Sequence, residues 1–171
     1  MRMPFGSFRQ LYPDGLVYVN GIKQQSDNKL VQLFDKVIRD GVMVHAVRAL
    51  QWQTDKPAFP TITEFDDRLP IKQLVWGISI GGDHVAYTRD FVAQQSGVLN
   101  VTIGDRPVVI NYDADYDSIG AFYNDSGAAV GEVDFFGNSD RGTLERVESL
   151  KSGVFWFIWR DFHKSTDVNR V

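Results

Sequence analysis

Three aspartates, Asp113, Asp115 and Asp117, follow the apolar run Val108-Val109-Ile110 at alternating positions. If the strand implied by that run continues, alternation places all three carboxylates on one side of it. Like charges so close repel unless they are solvated, protonated or bridged by a cation. The run is therefore the first candidate metal site, and the cofactor class it would take is a hard divalent cation such as calcium or magnesium. Its spacing matches the first three alternating ligand positions of a calcium loop. It then departs from that pattern: Ser118 stands where the loop needs glycine, Asn124 where it needs a bidentate glutamate, and the flanks read as strands. The other reading is a strand end whose aspartates cap backbone amides.

A second group of chemistry-bearing residues lies near the C-terminus, where His163 follows Trp159, Arg160 and Asp161. A histidine beside an arginine and an indole can orient an anion or fix a helix end. His45, His84 and His163 are too far apart in sequence for the short spacing that prepares a zinc face. Gly77-Ile78-Ser79-Ile80-Gly81 matches the Gly-x-Ser-x-Gly elbow of serine hydrolases in letters only. That nucleophile needs a strained turn between strand and helix, whereas Ser79 falls inside an expected strand with its hydroxyl on a sheet face. Neither a dinucleotide fingerprint nor the lysine-bearing phosphate loop is present, so nucleotide hydrolysis has no support.

Composition narrows the classes further. The chain has 171 residues, 43% apolar and 13% aromatic, enough for one domain, 1–171, with a real core. A formal charge of −4 gives no basic face for phosphate backbones, so nucleic acid is not an expected partner. With no cysteine, disulfides, thiolate zinc sites and cysteine nucleophiles are excluded, while either redox compartment remains open. No signal-peptide pattern and no transmembrane segment is expected from the sequence as written.

The elements that must position these residues read mostly as strands. Turns at Pro13-Asp14-Gly15 and Asn20-Gly21 bracket a short strand, Leu16 to Val19. Leu30, Val31, Leu33, Phe34, Val37 and Ile38 recur at helical spacing behind Ser26 or Asp27, with Gly41 as the stop, predicting a helix that covers the sheet. Val42 to Leu50 is expected as a strand and Gln53 to Pro70 as a long connection. Leu74–Ile80 and His84–Tyr87 predict a hairpin, Thr88 to Ser96 a short helix, and Val98–Ile103 with Val108–Tyr112 a second hairpin. Ile119–Tyr123 with Ala128–Phe136 predicts a third, followed by a strand near Leu144 to Val147, for five to eight strands in all. Phe155 to Trp159 has a period that fits either a buried strand or a short helix with Trp156, Trp159, Arg160 and His163 on one side, and the helix is the preferred reading.

Several of these segments together resemble a known family. They are Asp67-Arg68-Leu69-Pro70, Val75-Trp76-Gly77-Ile78 with Gly81-Gly82 and Ala86-Tyr87, Asn100, Ile103-Gly104, Pro107-Val108-Val109, and Trp159-Arg160-Asp161-Phe162-His163 with Thr166 and Val168. The family is the one catalogued as domain of unknown function 3179, and the resemblance leaves the N-terminal third unaccounted for. Members show Tyr-Cys-Pro-Leu-Cys-Gly-Ser-Gly followed by a Phe, and Tyr112, Ser118 and Phe122 fall in step with that motif. Asp113 and Tyr116 stand where its two cysteines would be, so a thiol or soft-metal role cannot operate there. The resemblance implies no established activity and tilts localisation toward an exported or membrane-associated protein.

The expected molecule is thus an α+β domain, mainly antiparallel β-sheet with one or two packed helices. Its expected function is a non-catalytic binding or structural module, taking a hard cation or a small anionic ligand where Asp113–Ser118 approaches Trp159–His163. Tyr116, Trp159, Arg160 and His163 are the candidate ligand-binding residues and Asp113, Asp115 and Asp117 the candidate metal ligands. The alternatives are a cation-dependent hydrolase with Asp113 and Asp115 as ligands and His163 as general base, and an accessory subunit of a larger protein assembly.

Overall fold

The structure, a computed structural model, describes residues 5–17, 28–53, 55, 62, 64–96 and 98–171. The chain packs as two compact units, Met1–Pro13 with Glu64–Val171, and Asp14–Thr63.

In the larger unit a short helix, α1 (Phe5–Leu11), precedes an α+β body. Strands β1 (Leu74–Ile80) and β2 (Asp83–Tyr87) form the expected hairpin, with Ile80 opposite Asp83 and Ser79 opposite His84. The two linking residues, Gly81 and Gly82, have φ of 59° and 86°. Two consecutive positive values are what a tight hairpin turn demands and what glycine adopts without strain. Strand β8 (Lys151–Phe155) flanks β1 and the short β9 (Asp167–Val168) runs parallel to β2, giving a sheet ordered β8-β1-β2-β9. A second sheet comprises β3 (Val98–Ile103), β4 (Arg106–Asp113) and β5 (Ser118–Tyr123), all antiparallel. Helix α4 (Arg89–Gln94) joins the two sheets, and β6 (Asn138–Ser139) pairs with β7 (Gly142–Thr143).

Strand alternation decides what each face carries. Trp76, Ile78, Ile80, Val85 and Tyr87 point toward Leu99, Val101, Ile103, Val108, Ile110 and Ile119 of the second sheet, and together they form the main core. The opposite face of β1 and β2 carries Val75, Gly77, Ser79, His84 and Ala86. Over it lies helix α5 (Trp156–Phe162), whose Trp156 and Trp159 pack with Val75 and Ala86 in a second cluster.

Two strand expectations fail in this unit. Ala128–Phe136 is not a strand; Val133 makes one isolated bridge to Ser139. Side-chain amides replace the ladder: Asn100 Nδ2 donates to the Val130 carbonyl while the Val130 amide donates to Asn100 Oδ1, and Asn111 Nδ2 donates to the Val133 carbonyl. Near Leu144–Val147 only Arg146 bridges, to Phe122.

In the smaller unit α2 (Lys29–Phe34) runs on through a π-helical stretch, Asp35–Met43, into α3 (Val44–Gln53). Gly41 does not stop the helix, and the segment expected as a strand, Val42 to Leu50, is helical. Met43, Ala46, Val47 and Leu50 recur at three- and four-residue intervals, and that period outweighs the β-branched content. The apolar side chains expected to face a core are exposed, Leu30 at 75% and Phe34 at 60%. The expected caps Ser26 and Asp27, and Tyr18 and Val19 of the expected first strand, lie outside the described residues. No helix of the described residues is long and apolar enough to cross a membrane.

Candidate ligand site

Helix α5 lays Trp156, Trp159 and His163 in a row along one sheet face, because residues three and four apart share a helical side. Its backbone ends at His163, whose amide donates to the Trp159 carbonyl at 3.0 Å. The indole of Trp159, only 3% exposed, fills the space that Gly77 leaves by lacking a side chain. Its Nε1 donates to Thr166 Oγ1 at 2.9 Å, and that buried hydroxyl lies 3.2 Å from the carbonyl oxygens of His84 and Asp167. Thr166 therefore ties the helix to β2 at the residue that carries the second imidazole.

The His163 ring packs at a tilt between Trp159 and His84, with ring centroids 4.0 Å from the indole and 4.3 Å from the other imidazole and planes inclined by 42° and 37°. His84 Nδ1 is 2.8 Å from Ser79 Oγ, across the hairpin. Among the described residues, neither nitrogen of His163 nor Nε2 of His84 has a hydrogen-bond partner, and none of the three is sealed from solvent. Burial, and then the neighbouring His84, push the His163 pKa below its ordinary value. The neutral imidazole is thus favoured at physiological pH, with one ring nitrogen carrying N–H and the other a lone pair.

Beside these rings runs an ionic clamp. The Asp66 carboxylate accepts Arg68 Nε at 3.0 Å and Nη2 at 2.7 Å, and Arg160 Nε at 3.0 Å. The Trp156 indole donates to the Asp66 carbonyl at 3.0 Å, and Arg68 Nη1 donates to the Thr166 carbonyl at 2.8 Å. Hydrogen bonding from Arg68, with Arg160 adding to it, holds the Asp66 pKa far below the usual carboxylate range despite burial. Arg160, a candidate ligand-binding residue, is thereby engaged in holding residues 66–70 against α5.

The aspartate run takes a different form from the one expected. Strand β4 ends at Asp113 and the chain turns at once, so alternation does not carry the three carboxylates to one side. Asp113 Oδ1 accepts the amides of Asp115 and Tyr116 at 3.0 and 3.1 Å, which is the capping role. Asp117, at φ 42°, accepts Arg89 Nη1 at 3.0 Å and the Tyr112 hydroxyl at 3.1 Å. The Asp115 side chain is exposed. Among the described residues no group of three or more His, Cys, Asp or Glu is placed to hold a metal ion. Tyr116 packs its ring 4.5 Å from that of Phe135.

The structure thus brings Trp159 and His163 together and adds His84, Ser79 and Thr166 to them. It does not join them to the aspartate turn: among the described residues no hydrogen bond, ion pair or ring contact links Asp113–Ser118 with Trp159–His163. The register of β1 with β2 is the signal that could have found His84, because a two-residue turn at Gly81-Gly82 sets Ser79 opposite His84.

A family model described as Protein of unknown function (DUF3179) matches residues 1–166, including the N-terminal third that the motif residues alone left out. No curated protein and no solved structure matches the chain.

Proposed function

The chain belongs to the family described as Protein of unknown function (DUF3179), a description that assigns no activity, and we propose that this member is a non-catalytic binding module whose ligand docks on the face formed by His84 and His163. One observation carries the reading: three imidazole nitrogens that have no hydrogen-bond partner among the described residues, none of them sealed from solvent, lie on two tilted rings in contact above a fixed base. Polar groups that converge on a rigid scaffold without satisfying one another are the ordinary makings of a recognition site.

Two features favour binding over catalysis. Ser79 meets His84 at Nδ1, and among the described residues no carboxylate bonds to the other nitrogen to stabilise an imidazolium. Ser79 also lies within β1, where its backbone is tied into the sheet instead of topping a turn.

The test is an NMR titration of the imidazole carbon-bound protons with inorganic phosphate and with zinc, each alone. The His84 and His163 signals are expected to move together while His45, exposed on α3, stays in place. Unmoved signals, or a response confined to His45, would sink the reading.

A further inference from the structure

The geometry points to a second site, in which Arg146 anchors a small monocarboxylate whose aromatic or aliphatic arm seats on the rings of Tyr116, Phe135 and Phe136. It shares no residue with the imidazole face and does not rest on it. Seven arginines lie between residues 64 and 171. Six of them pair with a carboxylate at 3.8 Å or less, and among the described residues Arg146 pairs with none.

The guanidinium is held in place by the fold itself. Arg146 bridges Phe122 at the outer edge of β5, where the Tyr123 amide donates to the Glu145 carbonyl and the Val147 amide to the Ala121 carbonyl, each at 2.8 Å. Residues directly opposite share a sheet face, and Arg146 Cζ lies 4.8 Å from the centre of the Phe122 ring and 5.3 Å from that of Phe135. Its Nη2 donates to the Phe135 carbonyl. A guanidinium laid over rings keeps its charge but gives up water and rotational freedom, which lowers the cost of binding an anion. Burial pushes the Arg146 pKa below its ordinary value, and the opposing influence comes from the Tyr12 hydroxyl, not from a carboxylate.

What stays open defines the ligand. A guanidinium has two edges that can each grip a carboxylate through a pair of parallel N–H bonds, and the bond to Phe135 occupies one of them. Nε and Nη1 have no partner among the described residues and are not sealed from solvent. A planar carboxylate therefore fits the remaining edge. Next to it the Phe135 ring lies 4.5 Å from that of Tyr116 and 5.5 Å from that of Phe136, and Phe136 is 49% exposed. An apolar arm thus finds a surface adjoining the charge. Inorganic phosphate has no apolar surface to place there, so it gains nothing from the rings and is not the expected occupant.

The test titrates the full chain with para-fluorobenzoate, followed by fluorine NMR, and with neutral para-fluorobenzamide as the matched control. The carboxylate is expected to saturate one site with a dissociation constant of about 1 mM or below, and the amide to bind about tenfold more weakly. Arg146→Met, which keeps the apolar stem, should weaken the carboxylate about tenfold and the amide far less. Arg146→Lys supplies a point charge without the fork and should restore only part of the loss. His84→Ala/His163→Ala should change neither probe. Urea midpoints show whether each variant is folded; if Arg146→Met is not, the wild-type preference for carboxylate over amide, with movement of the Arg146 Nε–H signal on titration, decides the matter. Equal binding of the two probes, an unmoved Arg146 signal, or full carboxylate affinity in folded Arg146→Met overturns the inference. Carboxylate binding lost in the histidine variant and kept in Arg146→Met would assign the ligand to the imidazole face and overturn it equally.

Discussion

Gly77→Ala is expected to destabilise the protein by about 3 kcal/mol, the upper end of what overpacking a filled core costs. A methyl group there would overlap the six-membered ring of Trp159, and that ring has little room to yield. Its nitrogen is bonded to buried Thr166, and its outer face meets His163. The added atom must therefore push α5 off the sheet, separating His163 from His84 as it does so. Urea unfolding measures the loss, and Trp159→Phe in the same chain should recover part of it, a coupling that appears only when two sites share one space. A Gly77→Ala midpoint within about 0.5 kcal/mol of wild type would show that the helix is not seated as described.

Asp66→Asn carries the second large effect, about 2 kcal/mol at pH 7, because the lost carboxylate is the shared acceptor of two guanidinium groups. Arg68 is 41% exposed at its side chain, so water screens part of its share, while Arg160 at 24% is more dependent on the pair. The pH dependence has a fixed sign. The folded carboxyl titrates below its unfolded value near 4, so its contribution is complete above that pH and is lost as pH falls further. The gap between wild type and variant should narrow steadily below about pH 4; a gap constant from pH 3 to 7 would remove the clamp from the account.

The two hairpins and α5 were legible in the sequence because their signals are local, whereas β8 and β9, which flank the first hairpin, carried no such signal. Gly81-Gly82 marks the first hairpin, the apolar run from Leu74 to Ile80 marks a strand covered on both faces, and Trp156, Trp159 and His163 share a helical side. The aspartate run misled for a reason internal to its chemistry: Asp113 bonds the two amides that follow it, which ends the strand that alternation assumed. Asp117 stands at the step where the family motif has glycine, and its positive φ reflects that turn. The role of Asp66 was hidden because its partners lie two and 94 positions away, and no periodicity reports a contact of that range. Val42 to Leu50 misled because valines favour strands while their spacing suits a helix.

We propose that ligand recognition resides in the imidazole pair and not in the aspartate turn. The most direct measurement is a set of thermal melts on three chains: wild type, Asp113→Asn/Asp115→Asn/Asp117→Asn, and His84→Ala/His163→Ala, each with zinc, calcium or inorganic phosphate. A ligand selective for the folded state raises Tm. Zinc or phosphate is expected to raise the Tm of wild type and of the aspartate variant equally and to leave the histidine variant unmoved. A shift produced by calcium, abolished in the aspartate variant and kept in the histidine variant, would contradict it.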